Sequence, residues 1–410
     1  MSKLEVDKIE PQSGTDLELG TSGDTITIPA GATFDSSAAT NTLPSTVVTT
    51  TGTQTLTNKT INASQLIDDS VTTAKLAYNP NPFRNIIING DFSQAQRAIS
   101  ATGLGNGDNG YHTCDRWKLL ESGTPTYEFT QSQSTDVPSG QGFATSLKMD
   151  CTTADASLNA DNLIRIAQII ESQNLQYLKF GTANAESLTA SFWVKSSITG
   201  DYSVSLYNYG SGGGARIISS TYTINSADTW EKKTITYDGD TVEAFLNDNT
   251  AGLNLTFTLG SGTDYTSTDS TSWGSSSSGK LAYGQVANIA SSTANNFYIT
   301  GVQLEAGTSA SDFEFLPVDV NLGRCQRYCT VFMDYGAGDT NSNRLYNSDY
   351  ANVHGMARMG YPRMRVEPSL TYSSVGFSIH ADYSSNGLIQ LMASGDTNFR
   401  IYDILAEAEL

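Results

Sequence analysis

Short runs in which apolar and polar residues alternate fill residues 83–318, and turn residues separate one run from the next. Alternation with a period of two is the pattern of a β-strand that buries one face. Many such strands, joined by Gly- and Ser-rich loops, are typical of a β-sandwich. We therefore predict an all-β chain in which residues 81–318 form a jelly roll. The predicted strands are RNIIING, RWKLLE, YEFTQS, TSLKMDC, IRIAQIIE, LTASFWVKS, DYSVSLYNY, ARIISSTYTI, WEKKTITY, LNLTFTLG, NFYITGVQLE and DFEFLP.

The N-terminal segments have patterns of their own. Residues 1–36 contain short alternating runs broken by glycines, such as DTITIPAGATF, and they lack the apolar residues to bury a core alone. We predict that these strands attach to a partner protein or to copies of the same chain. Residues 37–80 are rich in Thr, Ser and Asn, and we predict a shaft or linker that ends at the Asn-Pro repeat of residues 79–82.

Residues 319–410 are predicted to form a C-terminal β domain that opens with a short helix within 319–331. Its strands include SLTYSSVGFSIHADYSS and FRIYDILAEAEL. Within the jelly roll, the first and last apolar strands, IIING and YITGVQLE, would each leave an open edge. We expect these two segments to be neighbours.

The charge of the chain narrows the classes of partner. Its 23 Lys and Arg residues against 42 Asp and Glu residues give a net charge of −19. Nucleic acids and anionic membranes both require concentrated positive charge, so this balance argues against either as a partner. The N-terminal residues MSKLEVDKIEP have no apolar signal core, and runs such as LIRIAQII are too short to span a bilayer.

The four cysteines, Cys114, Cys151, Cys325 and Cys329, have no CxxC spacing. Cys325 and Cys329 would share a face if RCQRYC is helical. We predict four small, free core residues rather than a zinc site.

Several motifs taken together resemble those of a known class of protein. RNIIINGDFSQAQR, YHTCDRW, SFWVKSS, FYITGVQLEAGTSASDFEF and RCQRY resemble a set shared by tail-fibre and host-recognition proteins of tailed bacteriophages. The middle segment resembles the carbohydrate-binding-module-like jelly roll of such fibres. LEVDKIEPQSGTDLELGTSGDTITIPAGATF resembles the virion-proximal segment of fibres from marine phages, especially those that infect cyanobacteria. LTNKTI and DDSVTTAKLA also occur in such shafts.

The resemblance implies a structural protein of the virion, located on the phage tail and made in the cytoplasm of the infected host. It implies a homotrimer that binds phage tail proteins near the adaptor or portal through residues 1–36. It also implies adhesion to a surface glycan or outer-membrane receptor of the bacterial host. A fibre attached to the capsid or neck, a tail-spike-like polysaccharide depolymerase and a secreted adhesin are the alternatives.

Sugars are bound by aromatic rings under their C–H faces and by polar side chains at their hydroxyl groups. Trp273 lies in TDSTSWGSSSSG, where it is either a sugar platform or a plug over one end of the sandwich. Tyr207 and Tyr209 in LYNYGSGGG are candidates of the same kind. Three further tyrosines, in DYGAGDTNSNRLYNSDY, could form a distal contact surface or be ordinary surface residues: Tyr335, Tyr346 and Tyr350. For Trp117, Trp193 and Trp230, which lie in or open apolar strand patterns, we predict a core or strand-edge role.

Motifs that would indicate catalysis are weak in this sequence. The three histidines match no HExxH or triad spacing, there is no GxSxG, and SGGGAR lacks the Lys-Ser/Thr of a phosphate loop. A pair of carboxylates could hydrolyse a glycosidic bond, but no pair stands out from the many acids. Asn89, Asp91 and Glu305 could supply oxygen ligands for Ca²⁺ or simply cap turns. We predict no catalytic residue, no metal and no cofactor.

Overall fold

The computed structural model describes residues 83–333, 355–360, 364–384 and 388–410, and all of these belong to one compact unit. The predicted N-terminal strands and the predicted shaft lie outside the described residues. In chain order the strands are β1 (Ser100–Gly105), β2 (Lys118–Ser122), β3 (Glu128–Ser134), β4 (Ser146–Thr153), β5 (Leu163–Glu171), β6 (Leu188–Ser196), β7 (Gly200–Asn208), β8 (Arg216–Ile224), β9 (Glu231–Tyr237), β10 (Ala251–Ser261), β11 (Gly274–Ser275), β12 (Asn296–Ala306), β13 (Cys329–Met333), β14 (Gly355–Gly360), β15 (Ser369–Ser384) and β16 (Leu388–Glu407). The α-helix α1 spans Val318–Gln326, and short 3₁₀ helices span Ser172–Leu178, Thr263–Tyr265, Ser278–Lys280 and Ile289–Ser291.

Two six-stranded antiparallel sheets form the body of the protein. Sheet A has the strand order β1-β3-β4-β12-β6-β9, and sheet B has the order β11-β8-β7-β10-β5-β2. Their inner faces pack on each other through aromatic rings. The ring centroids of Phe192 in sheet A and Phe257 in sheet B are 4.9 Å apart, and those of Phe297 and Tyr202 are 5.8 Å apart. Full burial of each such side chain contributes about 1.5–3 kcal/mol. The predicted all-β sandwich is therefore confirmed.

The segment RNIIING does not form the predicted strand, although its predicted neighbour is correct. Ile86 N–H donates to Leu304 O at 2.8 Å, and Val302 N–H donates to Gly90 O at 2.9 Å. Asn89 has a positive φ of 57°, which breaks the extended conformation needed for a continuous ladder. The segment therefore lies beside β12 without becoming a strand of sheet A.

DFEFLP is also predicted as a strand and also lacks one. The carboxylate of Glu314 accepts hydrogen bonds from the backbone N–H groups of Phe83, at 2.6 Å, and Asn85, at 2.9 Å. Phe313 and Phe315 contact each other with ring centroids 4.9 Å apart. A side chain thus replaces the backbone ladder here, which the alternating pattern alone does not reveal.

The predicted short helix is confirmed as α1, and the strands predicted after it are present. The helix ends at Gln326, and Cys329 already belongs to β13, so Cys325 and Cys329 do not share a helical face. Strands β13, β16 and β14 form a further sheet in that order, and β15 pairs with β16. The predicted domain boundary between residues 318 and 319 stays a prediction. All four cysteines are buried, as predicted.

Candidate functional site

The outer surface of sheet B carries a row of small polar side chains on its central strands. In β10, Leu253, Leu255 and Phe257 belong to the core, so the residues between them point to the opposite side of the sheet. The same alternation holds in β5 and β7, whose neighbouring positions also supply core residues. We call the resulting surface the polar face, and it consists of Arg165, Ser203, Ser205, Tyr207, Asn254, Thr256 and Thr258.

Strand pairing brings these side chains together from distant parts of the sequence. Thr258 is the register partner of Arg165, and Thr256 is the register partner of Ser205. Asn254 lies opposite Tyr207. The polar side chains are therefore continuous across β7 and β10, and β5 adds Arg165, whereas its next two outward positions, Ala167 and Ile169, are apolar.

Several polar atoms on this face lack a hydrogen-bond partner in the described part of the chain. They are Arg165 Nε, Ser203 Oγ, Asn254 Oδ1 and Thr258 Oγ1, four of twelve such buried atoms. Ser203 and Thr258 are fully buried, and Asn254 is 5% exposed. Leaving a buried polar group without a partner costs about 1–3 kcal/mol, and such groups call for a physical explanation. The concentration of these atoms on one face is the feature that marks it as a candidate site.

Arg165 places a positive charge at this surface. Its side chain is half-buried, and it forms no ion pair with a carboxylate within the described residues. Burial lowers the pKa of Arg165, and the groups that oppose this effect are the hydroxyls of Tyr265 and Tyr209. A guanidinium of this kind can donate hydrogen bonds in its plane to ligand oxygen atoms.

Tyr207 and Tyr209, predicted as candidates from the sequence, meet at the end of β7. Their ring centroids are 4.9 Å apart with an interplanar angle of 68°. Tyr209 is 37% exposed. Burial raises the pKa of Tyr209, and the charge of Tyr207 raises it further. The charge of Arg165 and a hydrogen bond with Asn254 lower this pKa. Tyr207 therefore lies at the Asn254 side of the polar face, and Tyr209 extends this side beyond the end of β7.

Trp273, the third predicted candidate, lies elsewhere. It is half-buried and packs against the core, with its ring 5.8 Å from the ring of Phe180. Its indole N–H donates to Asp238 O at 2.6 Å, and Arg216 Nη2 donates to the carbonyl of Trp273 at 3.1 Å. These contacts match the plug described above, and a role in sugar contact stays a prediction.

The other tryptophans lie in the core or in and beside strands. Trp117 is fully buried in the core, as predicted. Trp193 is half-buried in β6, and Trp230 precedes β9, where its indole N–H donates to Asp136 Oδ1 at 3.0 Å. Three predicted tyrosines lie outside the described residues: Tyr335, Tyr346 and Tyr350.

The acids considered as Ca²⁺ ligands have other partners. Glu305 Oε1 accepts a hydrogen bond from the backbone N–H of Ser311 at 2.8 Å. Glu305 Oε2 accepts one from the hydroxyl of Ser311, also at 2.8 Å. Asp91 Oδ1 accepts from the hydroxyl of Ser93 at 3.1 Å. Among the described residues, no group of three or more His, Cys, Asp or Glu side chains is placed to hold a metal ion.

The polar face combines the groups that bind a hydroxyl-rich ligand. Hydroxyl, amide and guanidinium groups can exchange hydrogen bonds with ligand hydroxyls, and the nearby tyrosine rings can contact apolar ligand surface. The sequence contains a signal for these residues, because Asn254, Thr256 and Thr258 alternate with core residues in LNLTFTLG. That signal is also the pattern of any solvent-facing strand. Only the pairing of β5, β7 and β10 shows that the polar positions adjoin.

No protein-family model matches the chain, and no curated protein matches it. Among solved structures, it is similar to the enzymatically active domain of tailspike protein 4 from bacteriophage CBA120, with 15% identity and a TM-score of 0.31 over 57% of this chain and 23% of that one. It is also similar to a family 11 carbohydrate-binding module from Clostridium thermocellum in complex with a β-1,3-1,4-mixed-linked tetrasaccharide, with 10% identity and a TM-score of 0.25 over 52% of this chain and 99% of that one. A third similar structure contains the CBM22-1 and GH10 modules of xylanase 10B from Clostridium thermocellum complexed with xylohexaose, with 14% identity and a TM-score of 0.25 over 53% of this chain and 30% of that one. The assignment of the sandwich rests on the sheet topology of this protein itself.

Proposed function

We propose that this chain is a structural fibre protein of a tailed bacteriophage that fastens the virion to its bacterial host by binding a surface glycan. The observation that carries the proposal is the Tyr209 end of the polar face, where the guanidinium of Arg165 and the partly exposed rings of Tyr207 and Tyr209 can reach a ligand. The motifs that resemble those of tail fibres, from RNIIING to RCQRY, support it independently.

In this proposal, the groups of the polar face that are not fully buried make the contacts with the sugar. Arg165 donates hydrogen bonds to hydroxyl oxygens, and the exposed ring of Tyr209 packs against the C–H face of a sugar. Each contact is weak when taken alone. Three chains in one fibre would multiply these contacts through effective concentration, so that no single site has to bind tightly.

The rest of the chain has its place in the same proposal. Residues 1–36 attach to the phage tail, residues 37–80 form the shaft, and the polar face points toward the host cell. The chain acts by adhesion, without chemical change to the glycan.

Adsorption of the recombinant chain to host cells, alone and in competition with phage, tests this function. We expect the wild-type chain to coat the cells and reduce phage adsorption, and we expect the double variant Arg165→Met, Tyr209→Ala to do neither. Lys232, an exposed residue of β9 in sheet A, supplies the control variant Lys232→Met, which should behave as the wild type. Equal adsorption of the double variant and the wild type would contradict a role for the polar face.

Three further measurements test the remaining parts of the proposal. Sizing of host polysaccharide after incubation with the chain should show no shortening, and shortened chains would indicate a depolymerase. Labelled antibody on electron micrographs should mark the tail, whereas label on the head or neck would move the attachment point. The native mass should correspond to three chains.

A further inference from the structure

A cavity opens at the end of β5, between the 3₁₀ helix Ser172–Leu178 and α1. Its volume is about 440 Å³, which lies within the range of small-ligand pockets. The residues that line it come from four segments: residues 83–88 beside β12, Arg116 before β2, the end of β5 with the 3₁₀ helix, and the stretch from α1 to Tyr328. We call it the arginine pocket.

Arginine supplies the charged side chains of the arginine pocket. Three arginines line it, Arg116, Arg324 and Arg327, and no Asp or Glu among the described residues lines it. The chain as a whole has a net charge of −19. An arginine of a concave site that has no paired carboxylate attracts an anionic group that most of the surface repels.

Two of the three arginines already have acidic partners behind the pocket wall. Arg116 forms an ion pair with Glu409, and Arg327 forms a paired contact with Glu171, with Nε 2.7 Å from Oε1 and Nη2 2.8 Å from Oε2. These pairs fix the two guanidinium groups in place.

Arg324 has no such partner. Within the described residues its one hydrogen bond runs from Nη2 to Asn85 O at 3.4 Å, and it forms no ion pair. Burial lowers the pKa of Arg324, and the charge of Glu314 counteracts part of this effect. A half-buried guanidinium without a paired carboxylate is able to bind a carboxylate of a ligand through two parallel hydrogen bonds.

The neutral residues at the mouth of the pocket suit a sugar ring. Gln173 and Asn174 are exposed amides, and the ring of Tyr177 is 50% exposed. Amides can pair with sugar hydroxyls, and an exposed aromatic ring can contact the C–H face of a pyranose. A free inorganic anion would use the arginine but not these groups.

We propose that the arginine pocket binds an acidic monosaccharide unit, with Arg324 holding its carboxylate and Tyr177 contacting its ring. This inference rests on the proposed function, since it takes the ligand to be part of a bacterial surface glycan. It adds a ligand class to that function, because host glycans that contain uronic or similar acidic sugars would be preferred.

The test uses the full chain and titration calorimetry, supported by saturation-transfer NMR. The probes are the methyl glycosides of glucuronic acid, galacturonic acid and N-acetylneuraminic acid, with methyl glucoside and methyl galactoside as neutral matches and acetate as the free anion. We expect at least one acidic glycoside to bind about ten-fold more tightly than the neutral glycosides and acetate, as charge-assisted pairing predicts. Absence of any such preference, or acetate binding as tight as that of the sugars, would overturn the proposal.

Variants locate the binding site. Arg324→Met should remove the preference for the acidic glycoside, Tyr177→Ala should weaken binding of that glycoside, and the charge-matched control Lys232→Met should leave both unchanged. Loss of binding in the polar-face variant Arg165→Met, Tyr209→Ala, with wild-type binding in Arg324→Met, would refute the pocket and leave glycan adhesion standing. Loss in Arg324→Met alone, in a chain that does not adsorb to host cells, would support the pocket and refute the adhesive role.

Discussion

The side chain of Gln168 hydrogen bonds to both backbone groups of Ile88. Gln168 Nε2 donates to Ile88 O at 2.8 Å, and Ile88 N–H donates to Gln168 Oε1 at 2.7 Å. The amide of one residue thus takes the place of a strand at the point where residues 85–91 lie between the two sheets. This pair explains how the segment stays in position without a ladder of its own.

Replacing Gln168 by alanine should therefore loosen the junction of the two sheets. The change leaves two buried backbone groups of Ile88 unpaired, and we expect a loss of about 2–4 kcal/mol in the free energy of unfolding. Urea denaturation followed by tryptophan fluorescence measures it. The exposed Gln141→Ala variant is the control and should change stability by less than about 0.5 kcal/mol. Equal stabilities of the two variants would show that the Gln168 pair is dispensable.

Replacing Gly90 or Gly323 by alanine should have opposite effects on stability. A Cβ on Gly90 would lie 2.0 Å from Val302 O, whereas a Cβ on Gly323 in α1 would meet nothing within 4 Å. Gly90→Ala should destabilise the protein by about 2–3 kcal/mol because the backbone has to move. Gly323→Ala should stabilise it by about 0.5–1 kcal/mol through helix propensity. Thermal unfolding of both variants tests the pair, and a Gly90→Ala protein as stable as the wild type would contradict the close approach.

Glu171 should make stability fall in acid. Burial raises the pKa of Glu171, but hydrogen bonds from Arg327 and Tyr328 outweigh this effect and hold the pKa below its usual 4.5. Since the folded value is the lower one, the stabilisation is present above about pH 4.5 and is lost as the pH falls through the folded pKa. Glu171→Gln should be less stable than the wild type by about 1–3 kcal/mol at pH 7, with a difference that shrinks below pH 4.5. Urea midpoints between pH 3 and 7 measure this, and a difference that does not vary with pH would exclude the ionised carboxylate as its cause.

Thr258 tests whether the buried part of the polar face contributes only through packing. Its hydroxyl is fully buried and has no partner within the described residues. Thr258→Val keeps the shape of the side chain, so stability should stay equal or rise by up to about 1 kcal/mol, and affinity for host polysaccharide should stay unchanged because a ligand cannot reach the hydroxyl. Thr234→Val, on the exposed side of sheet A, is the control and should alter neither property. A Thr258→Val chain that binds host polysaccharide about three-fold more weakly than the wild type would place this hydroxyl in the site.

Substitutions at Trp273 distinguish its two possible roles, a plug over one end of the sandwich and a platform for a sugar. Trp273→Ala removes the contact with Phe180 and should cost about 1–3 kcal/mol, less than a fully buried tryptophan would. Trp273→Phe retains a ring at this position but loses the hydrogen bond to Asp238 O, which should cost about 0.5–1.5 kcal/mol. Polysaccharide binding should survive in the phenylalanine variant. Loss of binding at unchanged stability in the alanine variant would favour the platform over the plug.

The sandwich is predictable from the sequence because its strands alternate with a period of two. LNLTFTLG, for example, becomes β10 with its leucines in the core. The strand predicted for RNIIING is wrong because Asn89 has a positive φ and because Ile88 hydrogen bonds to the side chain of Gln168, eighty residues away along the chain. A local pattern contains no information about such a distant side chain.

The candidate sites were predictable only in part. Tyr207 and Tyr209 stand out because they precede a Gly-rich loop. Arg165 and Thr258 are ordinary positions of two separate strands until β5 and β10 pair. Arg324 likewise becomes notable only when four segments meet and no acid among the described residues lines the pocket with it.

The residues at and after the end of β16 also have a mechanical consequence. The chain passes from the sandwich to the last sheet by a single stretch of backbone before α1, and a single tether of this kind would allow the sheet to swivel. Arg97 forms ion pairs with Glu407, at 2.9 Å, and with Glu409, at 3.0 Å, which fasten the end of β16 that pairs with Cys329 and Ser369 onto the sandwich. This second attachment restrains rotation of the last sheet about the single backbone connection.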